Sequence, residues 1–209
     1  MIITDCYSHI QLSNISILHK KNFIVPRKKS LFLDRDGVLI KDVNYINSPE
    51  QVILTKNLET FLKKARDLEF DIFVVTNQSS VARSIISIED YLKITEKILS
   101  EFIPYIYPDF ILASFHHPDE SSPSKSWRKP DKGMFAFILD NFSYSSNDSI
   151  MVGDKLTDLV PAYLVGIKKF LFIKTDFHKN EFYKVVKWAD NLKEPIDIKF
   201  TERLDTSLI

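Results

Sequence analysis

The chain has 209 residues, enough for one substantial hydrophobic core with a small insert but hardly for two full domains. Lys+Arg and Asp+Glu both number 28, so the formal net charge is zero and a general attraction to nucleic acid or to an anionic membrane finds no support. No apolar run approaches the roughly 20 residues that cross a bilayer, the single Cys6 excludes an internal disulfide, and residues 1–9 lack the basic start and apolar centre of a secretory leader. A cytoplasmic monomer acting on a small molecule, with neither nucleic acid nor membrane as partner, is the expectation.

Residues 1–29 carry apolar patches at Ile15, Ile17 and Leu18 and again at Phe23, Ile24 and Val25, followed by Pro26, Arg27, Lys28 and Lys29. They are expected to form an N-terminal extension with one or two short strands, and the basic cluster reads as a solvated flank. The apolar run Leu31, Phe32, Leu33 is too short for a helix and leads into Asp34-Arg35-Asp36-Gly37, a buried strand ending in a turn. Two carboxylates at the end of an inner strand are costly to desolvate unless something cationic neutralises them, which calls for a metal ion or a phosphoryl substrate. Taken alone, the motif fits an acidic turn equally well.

Residues 41–50 are rich in turn formers, and residues 51–54 are expected as a short strand. Asn57 is positioned to cap a helix in which Leu58, Phe61, Leu62, Ala65 and Leu68 recur at helical spacing, ending near Glu69. A second inner strand over 71–76 delivers Thr76, Asn77, Gln78 and Ser79 at its carboxyl end. Ser87, with Asp90 three residues on, starts a helix closed by Pro104 and Pro108. A third strand over 109–115 precedes His116-His117-Pro118, and the polar stretch 119–132 is a long loop of the kind that often carries function. A helix beginning at Asp131 or Lys132 follows. The fourth strand, 148–152, ends in Gly153-Asp154-Lys155-Leu156-Thr157-Asp158, a helix runs on to Val165, and 168–173 is the fifth strand. Phe182, Val185, Val186 and Ala189 share one face of a last helix, and residues after Phe200 are expected to fray. Strands alternating with helices imply right-handed crossovers. The fold class is therefore α/β, a three-layer α/β/α sandwich with a mainly parallel Rossmann-like sheet and no large cap domain. Its ligands belong beyond the carboxyl ends of the strands, where Asp34, Asp36, Thr76, His116 and Asp154 lie.

With these strand ends in hand, the sequence resembles the haloacid dehalogenase-like phosphohydrolases over roughly residues 30–175. Asp34-Arg35-Asp36-Gly37 looks like their first motif, Thr76 the second, Lys129 the third, and Gly153-Asp154 with Asp158 the fourth. Within that family, Val74-Val75-Thr76-Asn77-Gln78-Ser79, Val81-Ala82-Arg83, His116-His117-Pro118 and Arg128-Lys129-Pro130 resemble the heptose bisphosphate and histidinol phosphate phosphatase branch. The resemblance divides the chain into the extension 1–29, a phosphatase domain 30–199 and a tail 200–209. It implies a Mg²⁺-dependent phosphomonoesterase that hydrolyses a small sugar phosphate through an aspartyl-phosphate. The leading substrate is the 7-phosphate of D-glycero-D-manno-heptose 1,7-bisphosphate, with histidinol phosphate, or a catalytically weak sugar-phosphate-binding subunit, as alternatives.

By the same resemblance Asp34 is the nucleophile and Asp36 the acid/base. Mg²⁺ is held by Asp34, the Asp36 carbonyl and Asp154. Thr76 and Lys129 meet the phosphoryl oxygens, and Arg128 forks onto a second anionic group. Asp158 either holds a metal-bound water or is an acid favoured by the helix dipole. Lys155 reaches the metal–phosphate region or is solvated. Asp42, Asn44, Tyr45, Asn77, Gln78 and Ser79 are the further substrate-binding candidates. Zinc-bearing relatives place cysteine and histidine ligands where this chain has Ser114, His116, Lys125 and Trp127, so three of four ligands are missing and no structural zinc is expected, with Trp127 ordering the loop by packing. Ser80 and Ser84 stand where the family pattern often has glycine, so the loop geometry near the substrate is expected to differ.

Overall fold

The computed structural model describes residues 1–23, 27–119 and 127–209. Among these, eight strands form one sheet. A short helix α1 (Ile2–Cys6) leads into β1 (Tyr7–Leu12) and β2 (Ile15–Lys20), and β3 (Lys29–Leu33) follows. Next come α2 (Leu58–Asp67), β4 (Phe70–Asn77), the single turn α3 (Ser79–Ala82), α4 (Ile88–Ser100) and β5 (Phe110–Ser114). The rest is α5 (Gly133–Phe142), β6 (Ser149–Gly153), α6 (Leu156–Leu164), β7 (Lys169–Ile173), α7 (Lys179–Asp190) and β8 (Asp197–Thr201). The spatial order is β1-β2-β5-β4-β3-β6-β7-β8. From β5 to β8 every neighbouring pair is parallel, while β1/β2 and β2/β5 are antiparallel.

Period-two alternation along the inner strands explains the layering. Leu31, Leu33, Ile72, Val74, Ile111 and Ala113 face one core with α2 and α4. Phe32, Phe73, Val75, Phe110 and Leu112 face the other with α5, α6 and α7. Both faces are buried, so the strands read as continuous apolar runs, as a doubly covered parallel sheet requires. The three-layer α/β/α expectation holds. Among the described residues the connections over the carboxyl ends are loops and single turns, with no inserted cap.

Three local expectations need correction. Residues 51–54 are not a strand: Pro49–Gln51 form a 3₁₀ turn and Leu54 makes only an isolated bridge to Ile40, because a proline at the start favours a turn over a ladder. Asn57 does not cap α2 through its side chain. It sits at φ +64° and donates instead to the Leu204 carbonyl at 3.0 Å, an αL position that asparagine tolerates. The residues after Phe200 do not fray, since β8 runs to Thr201 and Leu204 is buried in the core. The extension supplies the expected strand around Ile15–Leu18 as Ile15–Lys20, antiparallel to β5 in a mainly parallel sheet. Its other expected strand, around Ile24 and Val25, lies outside the described residues. Ser87, by contrast, makes the expected capping box with Asp90.

Candidate active site

The strand order reverses on either side of β3: β4 and β5 lie to one side, β6 and β7 to the other. A crevice opens at the carboxyl ends of β3 and β6, where an α/β sheet binds ligands. Asp34 continues β3, its N–H bonded to the Val152 carbonyl of β6 at 3.0 Å. Asp154 follows β6. Two carboxylates from neighbouring strands thus meet at one point.

Gly37 makes this meeting possible. Its φ is +88°, and a Cβ there would lie 2.3 Å from Asp154 Oδ2, so only glycine lets the turn after Asp36 pass over the Asp154 carboxylate. Gly153 plays the matching part on the other side, where a Cβ would stand 2.5 Å from the Cβ of Asp158.

Lys129, from the loop before α5, is the buried cation of the site. Its Nζ donates to Asp34 Oδ1 at 2.8 Å and to the Val75 carbonyl at 2.8 Å, and lies 2.7 Å from Asp158 Oδ1. Burial by itself would lower the Lys129 pKa, but Asp158 and Asp34 outweigh it and hold the ammonium above its ordinary value. Asn77 grips the backbone of the same residue from both ends, accepting from Lys129 N at 2.9 Å and donating to its carbonyl at 2.8 Å. Asp158 has two tasks. Its Oδ2 accepts from the N–H groups of Asp154 (3.2 Å) and Lys155 (3.0 Å) at the start of α6, while Oδ1 faces Lys129. This is the geometry of an acid in the first turn of a helix, with Lys129 as the partner of its second oxygen.

Asp154 is different. It is fully buried, and neither carboxylate oxygen has a hydrogen-bond partner among the described residues. Burial, followed by the neighbouring Asp158, Asp34 and Asp42 and only partly offset by Lys155, pushes its pKa up to about 9. A buried carboxylate short of donors is suited to binding a cation. Asp34, Asp154 and Asp158 offer oxygens within 4.8 Å of one another. This all-oxygen donor set fits a hard divalent ion such as Mg²⁺.

Asp36 lies at the cleft floor. Arg35 Nε and an Arg35 terminal nitrogen bond its carboxylate at 3.0–3.2 Å, and Gln78 Nε2 donates to its Oδ2 at 2.9 Å and to Thr76 Oγ1 at 2.8 Å. Thr76, at the carboxyl end of β4, is buried beneath. Above them a cleft of about 250 Å³ is bounded by the expected Asn44, Tyr45, Ser79, Arg128 and Lys155. One terminal nitrogen of Arg128 bonds Ser79 Oγ at 3.0 Å and the His116 carbonyl at 3.1 Å, which aims the guanidinium along the rim. Asn44 and Tyr45 both have positive φ, at 54° and 62°, and the Asp42 Oδ1 stabilises that turn by accepting from Asn44 N at 2.9 Å.

The Asp42 carboxylate, on the cleft wall, already has partners within the protein. Its Oδ2 meets Lys155 Nζ at 3.1 Å and His178 Nε2 at 2.8 Å. Although burial opposes it, these donors hold its pKa below the ordinary range, with Lys155 leading. His178, just before α7, is a member of the site that sequence reading misses, as are Ile46, Thr157 and Phe177 on the cleft wall. The partner of His178, Asp42, is 136 positions away and no motif joins them. The only signal for His178 is its place in the loop after an inner strand, at a fifth strand end. At the positions that hold zinc ligands in relatives, Ser114 Oγ bonds His116 Nδ1 at 3.0 Å, Trp127 packs on Phe137 with ring centroids 5.1 Å apart, and Lys125 lies outside the described residues.

Comparisons with known proteins place the chain in a family. The polynucleotide kinase 3 phosphatase family model matches residues 29–201. The chain is 34% identical over 164 residues to the D-glycero-alpha-D-manno-heptose-1,7-bisphosphate 7-phosphatase of Photorhabdus laumondii, covering 73% of this chain and 86% of the relative. It is 32% identical to the D-glycero-beta-D-manno-heptose-1,7-bisphosphate 7-phosphatase of Haemophilus ducreyi, covering 71% and 84%. The fold is similar to that of the D,D-heptose 1,7-bisphosphate phosphatase of B. bronchiseptica, solved with magnesium and phosphate, at a TM-score of 0.71 and 23% identity, covering 86% of this chain and 96% of that one.

Proposed function

The chain belongs to the polynucleotide kinase 3 phosphatase family of haloacid dehalogenase-like phosphatases, and on that premise we propose that it is a Mg²⁺-dependent phosphomonoesterase acting on heptose 1,7-bisphosphate at the 7-phosphate. The observation that carries the reading is the buried Asp34–Lys129–Asp154 group at the switch point, with both Asp154 oxygens unpartnered. Mg²⁺, held by the Asp34 and Asp154 side chains with the Asp36 carbonyl, would offset the charge of the phosphoryl oxygens.

The residues of the chain divide the work. Asp34 attacks phosphorus and forms an aspartyl-phosphate as the bond to the leaving oxygen breaks. Asp36 gives that oxygen its proton. It then removes a proton from the water that attacks the aspartyl-phosphate, which returns Asp34 and releases inorganic phosphate. Lys129 neutralises charge beside Asp34, and Thr76 presents its hydroxyl to a phosphoryl oxygen. Asn77 positions Lys129, and Gln78 holds Asp36 against Thr76. Arg128 at the rim recognises a second anionic group, which a bisphosphate supplies and a monophosphate lacks.

The relatives at 34% and 32% identity are named for opposite anomers, so both belong in the test. Purified protein with Mg²⁺ is assayed for phosphate release from the two heptose 1,7-bisphosphates, other sugar phosphates, histidinol phosphate and a 3′-phosphorylated oligonucleotide. The expected result is the highest kcat/KM on one heptose bisphosphate, with one phosphate released per sugar. Preference for the oligonucleotide or for histidinol phosphate refutes the substrate. Binding without release from any compound refutes the enzymatic reading.

A further inference from the structure

We propose a second divalent-cation site formed by Asp42, Asp154 and His178, an exchangeable one selective for borderline metals and inhibitory when filled. Three strand-end loops supply it: Asp42 follows β3, Asp154 follows β6 and His178 follows β7. His178 Nε2 lies 2.8 Å from Asp42 Oδ2 and 3.9 Å from Asp154 Oδ2, and the three residues offer ligand atoms all within 4.8 Å of one another. Ligands about 2.1 Å from a tetrahedral ion stand about 3.4 Å apart, a value that the two measured separations bracket.

Asp154 is the member of the group whose oxygens are short of partners. It is fully buried and both oxygens lack a hydrogen-bond partner among the described residues. Mg²⁺ held through one Asp154 oxygen would leave the other for a second ion, and it is Oδ2 that lies 3.9 Å from His178 Nε2. Imidazole distinguishes the two positions, because Mg²⁺ favours oxygen donors whereas Zn²⁺ and Co²⁺ accept nitrogen readily. Asp42 is already oriented, its other oxygen fixed by Asn44 N. His178 and Asp42 both line the cleft, which gives an ion from solvent access to them. The site is separate from the four-ligand loop site of the zinc-bearing relatives, where this chain has Ser114, Lys125 and Trp127.

Inhibition follows from what the ion displaces. Lys155 Nζ now spans the same carboxylates, 3.1 Å from Asp42 Oδ2 and 3.9 Å from Asp154 Oδ1. A dication at this point repels the ammonium and pushes it from its place on the cleft wall. The site shares Asp154 with the proposed Mg²⁺ centre, yet metal binding is measurable whether or not the proposed substrate is correct.

Co²⁺ is the direct probe, because a four-coordinate ion with an imidazole ligand absorbs in the visible. In excess Mg²⁺ the full chain should bind one Co²⁺ with such a band, and Zn²⁺ should displace it. His178→Ala should weaken that binding by about tenfold or more, and His178→Gln, which keeps a hydrogen-bonding side chain, should do the same. Thermal unfolding in chelator checks that both variants fold. With any phosphate ester that the protein hydrolyses, Zn²⁺ inhibition in excess Mg²⁺ should weaken in parallel. Failure to find a substrate leaves the cobalt measurement standing. Equal Co²⁺ affinity in folded wild type and variants, or no Co²⁺ binding beside Mg²⁺, overturns the proposal.

Discussion

Asp154→Asn should abolish Mg²⁺-dependent stabilisation and yet make the metal-free protein more stable. The Asp154 pKa is raised from 3.8 to about 9, chiefly by burial. A group whose folded pKa is raised contributes stability below its unfolded pKa and loses it as pH climbs to the folded value, so here the loss runs from about pH 4 to pH 9. At about 1.36 kcal/mol per pH unit, the loss is about 4 kcal/mol by pH 7 and about 2 kcal/mol by pH 5. An amide has no charge to desolvate but remains a buried polar group short of partners, which takes back part of the gain. A net increase of about 2 kcal/mol at pH 7 is expected, or about 4–8 °C in Tm for a chain of this size. Thermal unfolding of both proteins, in chelator and in Mg²⁺, at pH 5 and pH 7, supplies the comparison. In chelator the variant should lead at pH 7 and lead by less at pH 5; in Mg²⁺ only the wild type should gain. A variant no more stable than wild type in chelator at pH 7, or one that still gains from Mg²⁺, refutes the reasoning.

Asp34→Asn should reduce turnover by roughly 10⁴-fold or more, as loss of a covalent nucleophile does, without loss of cooperative unfolding; wild-type rate in a phosphate-release assay sinks the assignment. Gly37→Ala combines a positive φ with a Cβ driven onto Asp154, so it should cost about 1–3 kcal/mol and weaken Mg²⁺ binding measured by calorimetry. Lys129→Met leaves Asp34 and Asp158 buried without their shared cation and should destabilise by about 3–5 kcal/mol in denaturant unfolding. Because burial raises the Asp158 pKa, that loss should shrink as pH falls and the carboxylate takes up a proton.

The sequence makes the sheet legible because both of its faces are covered. Runs such as Ile72, Phe73, Val74 and Val75 have no polar side, and the inner strands end in chemistry: Asp34, Thr76, Asp154. Asp34 and Asp36 are legible in the sequence because they directly follow an apolar run, whereas Lys129, in the loop before α5, is reached only through the family resemblance. His178 escapes since its role exists only through Asp42, which a different loop brings to it. Asn57 misleads for a related reason. Its side chain satisfies the Leu204 carbonyl across the fold, a tertiary partner that outweighs the local cap. Asp42 and Asn77 are correctly placed at the cleft by sequence, but their carboxylate and amide are engaged by the protein itself, which only coordinates reveal.

The two ends of the sheet show that the unpartnered state of Asp154 is particular to the site. At the amino end of β4 and β5, Arg66 is buried beside Asp71 and Asp109. It bonds Asp109 Oδ2 at 2.6 Å and the carbonyls of Phe70 and Tyr107, while Asp109 also accepts from Ile72 N and Tyr144 donates to Asp71. There the acids are buried with donors to match, as a structural network requires. At the carboxyl end, Asp34 and Asp158 have Lys129, but Asp154 has no donor within hydrogen-bond reach among the described residues. The same chain thus supplies partners for its buried acids where only stability is at stake and withholds them at one residue, on the strand end beside the nucleophile. A carboxylate kept short of donors opposes folding of the metal-free protein and binds a cation more strongly for the same reason. The deficit at Asp154 is therefore best understood as the part of the site that an ion completes.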